Sequence, residues 1–300
     1  MIKNQHIIDT IFNFMSIKGV GPVQTNRLLL AMNDYSPISI QNIAFNLLNV
    51  QQRVEFEEIK DQPIDINSKF AVEFILLQEE AYPEEVKKAL GSSAPPVLSV
   101  IGNKDLLIKK KVAFSGSRNV SDKGIKITED TVTALIAEDV VIVSGYAKGV
   151  DFAAHYTALK NGGSTIIVLP EGINHFRIKK EFREVWDWER VLVISEFQPF
   201  EKWMASRAMK RNATIIGLSD VVMVIEAGAT GGSLDAGHKT LDMNKALFVP
   251  QYTDIPDSAL GNTTLLSRGA FALKMSKETK RPNISKILEL IETENKYSLF

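Results

Sequence analysis

Val112-Ala113-Phe114-Ser115-Gly116-Ser117-Arg118 is an apolar run that ends in three small residues and a cation. A run of this length and composition reads as a strand, and the small residues after it as a turn into a helix. The pattern recurs downstream. Further strand candidates lie at residues 140–143, 165–169, 191–194, 221–225 and 246–249. Helix candidates lie between them near 122–137, 152–160, 179–188, 211–218 and 234–241. Alternation of this kind predicts an α/β architecture with a mainly parallel, doubly wound sheet covered on both faces. Upstream, Ile7, Ile8, Ile11, Phe12 and Met15, then Leu28, Leu29 and Met32, recur at helical spacing. A further helical pattern through Phe70, Phe74, Leu77 and Ala81 stops at Pro83. Gly91-Ser92-Ser93-Ala94-Pro95-Pro96 has the composition of a linker. The expected organisation is a helical domain over residues 1–90, a sheet domain over 96–275 and a short helical tail over 276–300. Ile284, Ile287, Leu288 and Ile291 form the apolar stripe of that tail.

The 300 residues carry a net charge of −1, with 45% hydrophobic and 24% charged residues. About two domains of ordinary globular composition fit this length. There is no cysteine, which excludes disulfide scaffolds, thiolate metal sites and cysteine nucleophiles; four histidines also argue against a dedicated metal site. No apolar stretch reaches the ~20 residues of a membrane span, and the first residues lack the pattern of a secretory signal. A cytoplasmic protein with no membrane partner is expected. With so balanced a charge, any nucleic-acid binding must rest on cations gathered on one face.

Three glycine-bearing loops follow strand candidates. In the first, Ser115, Gly116 and Ser117 offer accessible N–H groups, and Arg118 offers a bidentate fork for phosphate. The second, Ser144-Gly145-Tyr146-Ala147-Lys148-Gly149-Val150-Asp151, presents Tyr146 as a ring for a base and Lys148 as a cation. Asp151 there reads as a cap or loop brace, and His155 as a satisfied buried histidine. The third, Glu226-Ala227-Gly228-Ala229-Thr230-Gly231-Gly232-Ser233, is another anion cradle at a helix start. Its Glu226 is placed either to hydrogen-bond a ribose or amide, or to brace the loop. Lys202, Arg207, Lys210, Arg211 and Asn212 form a polar cluster just before a helix candidate. In an open parallel sheet, ligands bind beyond the carboxyl ends of the strands. The loops therefore point to a phosphate-bearing ligand, nucleotide or polynucleotide. Separately, Ser16-Ile17-Lys18-Gly19-Val20-Gly21-Pro22 is a tight turn between two helical patterns, either a DNA-backbone reader or a structural helix pair.

The order of several motifs resembles the DprA/Smf DNA-processing family. They are Ser115-Gly116-Ser117-Arg118, then Ser144 through Asp151 with Ala154-His155, then Gly162-Gly163-Ser164-Thr165 running to Leu169. Ser195-Glu196, Arg211-Asn212 with Ile215-Ile216-Gly217-Leu218-Ser219, Glu226-Ala227 with Gly232-Ser233-Leu234, and Phe248-Val249-Pro250 complete the series. The resemblance covers roughly residues 80–275 closely. It implies an extended Rossmann-like fold preceded by a small helical domain of helix-hairpin-helix or SAM-like type. It also implies single-stranded DNA binding, a recombination-mediator role with a RecA-type recombinase as partner, a homodimer, no cofactor and no catalytic reaction. Carried over residue by residue, the DNA pocket would use Arg118, Lys148, Arg211 and Asn212. The chain departs from the family in three places: Ala213 stands where a second arginine is common, Asp235 adds a carboxylate near the pocket, and the usual Phe-Pro before Arg211 is missing. The resemblance is to a divergent member without the common C-terminal winged-helix-like domain. The competing expectation is a nucleotide sensor or nucleotide-processing enzyme on the related fold of LOG-type phosphoribohydrolases. There, however, the motif's catalytic glutamate position holds His238 and its proline position Thr230.

Overall fold

A computed structural model describes residues 5–32, 36–276 and 281–297. The chain divides into two compact units: residues up to 101 with 171–176 and 195–203, and residues 102–170, 177–194 and 204–300.

In the first unit, helices α1 (Gln5–Ser16), α2 (Pro22–Ala31), α3 (Pro37–Leu47) and α4 (Val50–Ile59) enclose Ile8, Ile11, Phe12, Phe14, Leu28 and Phe56. Pro22 and Pro37 each open a helix, where the missing N–H costs nothing. The Lys18–Pro22 turn joins α1 to α2, and Gln52 Nε2 donates to Lys18 O at 3.0 Å. Phe74 and its neighbours do not form a helix. They form strand β1 (Glu73–Leu76), which pairs antiparallel with β2 (Val97–Gly102), Phe74 opposite Ser99. Four consecutive apolar residues satisfy a helical and a strand pattern alike, and pairing with β2 decides between them. Helix α5 (Glu84–Leu90) lies between the two strands. The linker-like segment before β2 is not a tether. Ala94 is buried, Asn26 Nδ2 donates to Ala94 O at 2.9 Å, and the Tyr82 hydroxyl donates to Pro95 O at 2.8 Å.

The second unit holds β3 (Lys111–Ser115), β4 (Val141–Ser144), β5 (Thr165–Val168), β6 (Val191–Ser195), β7 (Val221–Val224), β8 (Ala246–Pro250) and β9 (Phe271–Leu273). They run in the order β6-β5-β4-β3-β7-β8-β9, each parallel to its neighbours. The sheet is doubly wound and mainly parallel, as the alternation predicts. Their near-continuous Val, Ile and Leu content reflects burial on both faces by helices α6 (Asp122–Ile136), α7 (Val150–Lys160), α8 (Ala205–Leu218), α9 (Gly232–Asp242) and α10 (Leu260–Ser267). Helix α11 (Ser285–Tyr297) places Ile287 and Ile291 in the same core as Val112, Val221 and Phe248. The chain builds outward from β3 in one direction and from β7 in the other. The β3–β7 seam is therefore the switch point, where a crevice forms at the carboxyl ends.

Two further elements differ from the sequence expectation. Residues 179–188 form no α-helix; short 3₁₀ turns stand at Lys180–Phe182 and Trp188–Arg190. Asp187 accepts from Glu189 N at 3.0 Å and from Arg190 Nε at 2.8 Å, a local alternative to helical bonding. Helix α8 begins at Ala205 rather than at residue 211, so Arg207 and Lys210 lie on it instead of before it, and Arg211 sits in its middle rather than at its start.

Candidate functional site

The first and second loops are fastened to each other at the ends of β3 and β4. Val150 N donates to Ser117 O, and Ser117 N donates to Glu226 O at 2.8 Å. Gly149, with φ +76°, sits so close to Ser117 and Arg118 that a Cβ would overlap their backbone. Ser115, Gly116 and Ser117 are half-buried, while Arg118 and Lys148 are exposed at the loop tips. Tyr146 adopts φ +64°, a left-handed conformation uncommon for a residue with a Cβ and found where local structure forces it.

Arg211 reaches the same place from α8. The residue is 6% exposed, and its guanidinium lies so close to Gly145 that a Cβ there would overlap it. With Asn212, Ser115, Gly145 and Asp151 it lines a small pocket. Asp151 is buried and accepts from Ala147 N at 3.2 Å, so it does brace the loop. Burial pushes its carboxyl above the usual range; the nearby Arg211 charge and hydrogen bonds from the 144–147 segment work in the opposite direction. Lys210 is exposed on α8. Lys202 belongs to the other unit. Gly231 caps α9, Gly232 and Ser233 form its first turn, and Gly232 approaches Met209 of α8, so the third loop borders the same helix.

Glu226 is a brace, which resolves the alternative left by its position. Its fully buried carboxylate accepts from Ser121 N (2.9 Å), Ser121 Oγ (2.5 Å), Tyr252 OH (3.0 Å) and Ser258 Oγ (2.5 Å). Those bonds anchor the start of α6, and the backbone carbonyl of Glu226 holds Ser117. Tyr146 also differs from its expected role. Its hydroxyl accepts from Lys179 N at 2.9 Å, Lys179 Nζ lies 4.1 Å from its ring centroid, and Phe182 and His155 press on it from the sides. One ring face is therefore occupied by a cation rather than offered to a base. Burial raises the Tyr146 phenol to about 12, which keeps it neutral.

Lys179 belongs to no motif and stands in sequence merely at the start of the expected 179–188 helix. Its Nζ donates to Tyr146 O at 2.5 Å, and its pKa is lowered by burial. It adds positive charge behind Lys148. His155 is fully buried, with Nδ1 at 2.6 Å from Thr165 Oγ1, and burial lowers its pKa to about 3. Unfolded, it takes up a proton below about 6.5; folded, it stays neutral down to about 3. Acid therefore draws the equilibrium toward the unfolded chain. Because the raised Asp151 carboxyl works in the opposite direction, the diagnostic is the difference: from pH 7 to pH 5 the melting temperature should shift downward more in the parent than in His155→Gln, followed by circular dichroism.

Among the described residues no cluster of acidic, histidine or cysteine side chains is arranged to hold a metal, and no helix is long and apolar enough to cross a membrane. What the crevice does hold is exposed Arg118 and Lys148, buried Arg211, and glycine-bearing loops at helix starts. The fold and this site together define a Rossmann-like protein with cations gathered at the carboxyl ends of its parallel strands. The family model for DNA recombination-mediator protein A matches residues 73–281, and the chain belongs to that family. It is 37% identical over 183 residues to a DNA processing protein DprA of Streptococcus pneumoniae, covering 61% of this chain and 62% of that protein. A Bacillus subtilis DNA processing protein DprA is 28% identical over 202 residues, 66% of this chain and 67% of the relative. In structure, the chain matches the S. pneumoniae protein with a TM-score of 0.73 at 29% identity, covering 90% and 95% of the two chains. The Helicobacter pylori DNA processing protein A, solved for its single-stranded DNA binding mode, matches with a TM-score of 0.59 at 26% identity, over 77% of this chain and 98% of that one.

Proposed function

We propose that the crevice at the carboxyl ends of β3, β4 and β7 binds single-stranded DNA, and that the protein acts as a DNA-processing recombination mediator. The observation that carries this reading is that Arg118 and Lys148 at the loop tips and Arg211 from α8 gather around Gly145 and Gly149, where the backbone of the two loops is most closely packed. The H. pylori relative's single-strand binding supports it. Ser115, Gly116, Ser117, Gly145, Gly149, Asn212, Gly231, Gly232 and Ser233 supply backbone and small polar groups; Tyr146 and Lys210 complete the proposed site. Such groups recognise phosphate far more than base edges, so binding is sequence-tolerant. A RecA-type recombinase as partner, a homodimer, a cytoplasmic setting and the absence of catalysis belong to the same proposal. Against hydrolysis stand two side chains already engaged elsewhere: the Glu226 carboxylate accepts four hydrogen bonds, and His238, in the position of the motif's glutamate, contacts Arg268 at 2.6 Å.

The test is a competition among single-stranded DNA, duplex and mononucleotides for the purified protein. Single strands bend their phosphates into a narrow crevice, whereas a stiff duplex does not. The expected order is single strand first, with duplex and mononucleotide at least tenfold weaker. Tight mononucleotide binding that single strands fail to displace would favour a nucleotide sensor instead.

A further inference from the structure

Helix α7 is buried on almost every side: Val150, Asp151, Ala153, Ala154, His155, Thr157, Ala158 and Leu159 are all inside. What is left less buried is half-buried Phe152 and Tyr156 and exposed Lys160, at positions i, i+4 and i+8, which form one stripe along the helix. Binary patterning places polar residues on such a stripe. Here two of the three are aromatic. Phe152 and Tyr156 stack on each other with ring centroids 5.6 Å apart and planes 11° apart, and Lys160 Nζ lies 5.7 Å from the Tyr156 ring centroid. Phe182 holds both rings edge-on from below, at 5.1 and 6.0 Å. The column is thus fixed in orientation, with its Tyr156 end capped by a cation and its Phe152 end directed toward the start of α7. Exposed Lys148 stands there, four residues before Phe152, on the crevice loop.

We propose that this stripe is a base-stacking track, which takes one or two nucleotides of a single strand as it leaves the crevice. The inference rests on the single-strand reading of the crevice and extends it. The order cation, ring, ring, cation through Lys148, Phe152, Tyr156 and Lys160 covers about 12 Å of helix from Phe152 to Lys160 at 1.5 Å per residue. It matches what non-specific single-strand binding uses: π faces for bases and ammonium groups for phosphates. On the flanking 179–184 segment Lys180 and Arg183 offset Glu181 and Glu184, while Lys179 adds a further cation. The crevice grips phosphate; the track supplies aromatic surface that Tyr146, beneath Lys179, offers on one face fewer.

The experiment walks a single abasic nucleotide along a short labelled oligonucleotide and measures affinity for the parent and for Phe152→Leu and Phe152→Tyr. The parent is expected to lose about tenfold in affinity at one or two positions, the scale of one base–aromatic stack. Phe152→Leu should bind the intact strand about tenfold more weakly, show no further loss at those positions and keep the parent's salt dependence, because stacking releases no counterion. Phe152→Tyr should restore both affinity and profile. In the parent alone, 2-aminopurine at those positions should be quenched on binding. A Phe152→Leu protein with parental affinity, or with a weakened but unchanged abasic profile, overturns the track and leaves the crevice reading standing. Unquenched 2-aminopurine at every position does the same without any variant. If the parent binds no single strand, both readings fall together.

Discussion

Replacing Arg211 with alanine is expected to lower folding stability by about 3–5 kcal/mol near neutral pH, the usual cost of stranding one member of a buried charge pair. It should also weaken single-strand binding by tenfold or more, since a charge-assisted contact contributes roughly 1.5–3 kcal/mol. The stability loss comes from Asp151. Burial already pushes that carboxyl toward protonation, and the Arg211 charge is the largest of the influences that oppose it. Without Arg211, folded Asp151 holds its proton to still higher pH, further above the unfolded chain. The folded state then binds more protons than the unfolded one, so the variant's stability falls as pH rises. Denaturant unfolding at pH 5 and pH 8 checks this: the difference between parent and variant should be larger at pH 8. Equal differences at both would mean that Asp151 does not answer to Arg211.

Gly145→Ala is the second large effect. The backbone at this position is open to any residue, so conformational strain plays no part; the obstacle is the guanidinium of Arg211, which a Cβ would overlap at Nη1 and Cζ. Neither neighbour yields easily, because Arg211 is 6% exposed and buried Gly145 directly follows a central strand. Overpacking of this kind costs about 1–3 kcal/mol, and the displaced arginine should take single-strand affinity down with it. The diagnostic is coupling. In Gly145→Ala with Arg211→Ala the new methyl meets empty space, so the double variant should be less destabilised than the sum of the two singles by about 1 kcal/mol or more. Additive losses would show that the two groups do not touch.

The parallel sheet was readable because buried strands are continuous apolar runs with glycine turns after them, as at Val141–Ser144 followed by Gly145. Strands β1 and β9 were not, because four or three residues at an edge carry too little pattern, and only pairing with β2 and β8 defines them. The early start of α8 was hidden for a related reason: residues 205–210 are exposed or half-buried and show no apolar stripe. Within the site, local signals were legible. Small residues after a strand and a cation at a loop tip identified the 115–118 and 145–149 loops. Non-local pairings were not. Nothing in the sequence announces that Arg211 lies on Gly145, that Lys179 covers Tyr146, or that Glu226 is bound by Ser121, Tyr252 and Ser258. Those depend on which loops the strand order brings together. For the same reason the four-residue spacing of Phe152 and Tyr156 does not announce a stripe left half-buried on an otherwise buried helix.

The central claim is that Arg118 and Lys148 neutralise phosphates of a single strand in this crevice. The most direct measurement is the affinity of a single-stranded oligonucleotide as a function of salt, for the parent, Arg118→Ala, Lys148→Ala and Lys109→Ala. Lys109 pairs with Asp139 at 2.8 Å and precedes β3, at the opposite, amino ends of the strands. Each phosphate neutralised contributes roughly −0.7 to the slope of log affinity against log salt. The account predicts that Arg118→Ala and Lys148→Ala each bind tenfold or more weakly with slopes shallower by about 0.7, while Lys109→Ala follows the parent. Parental affinity and slope in both crevice variants would contradict it.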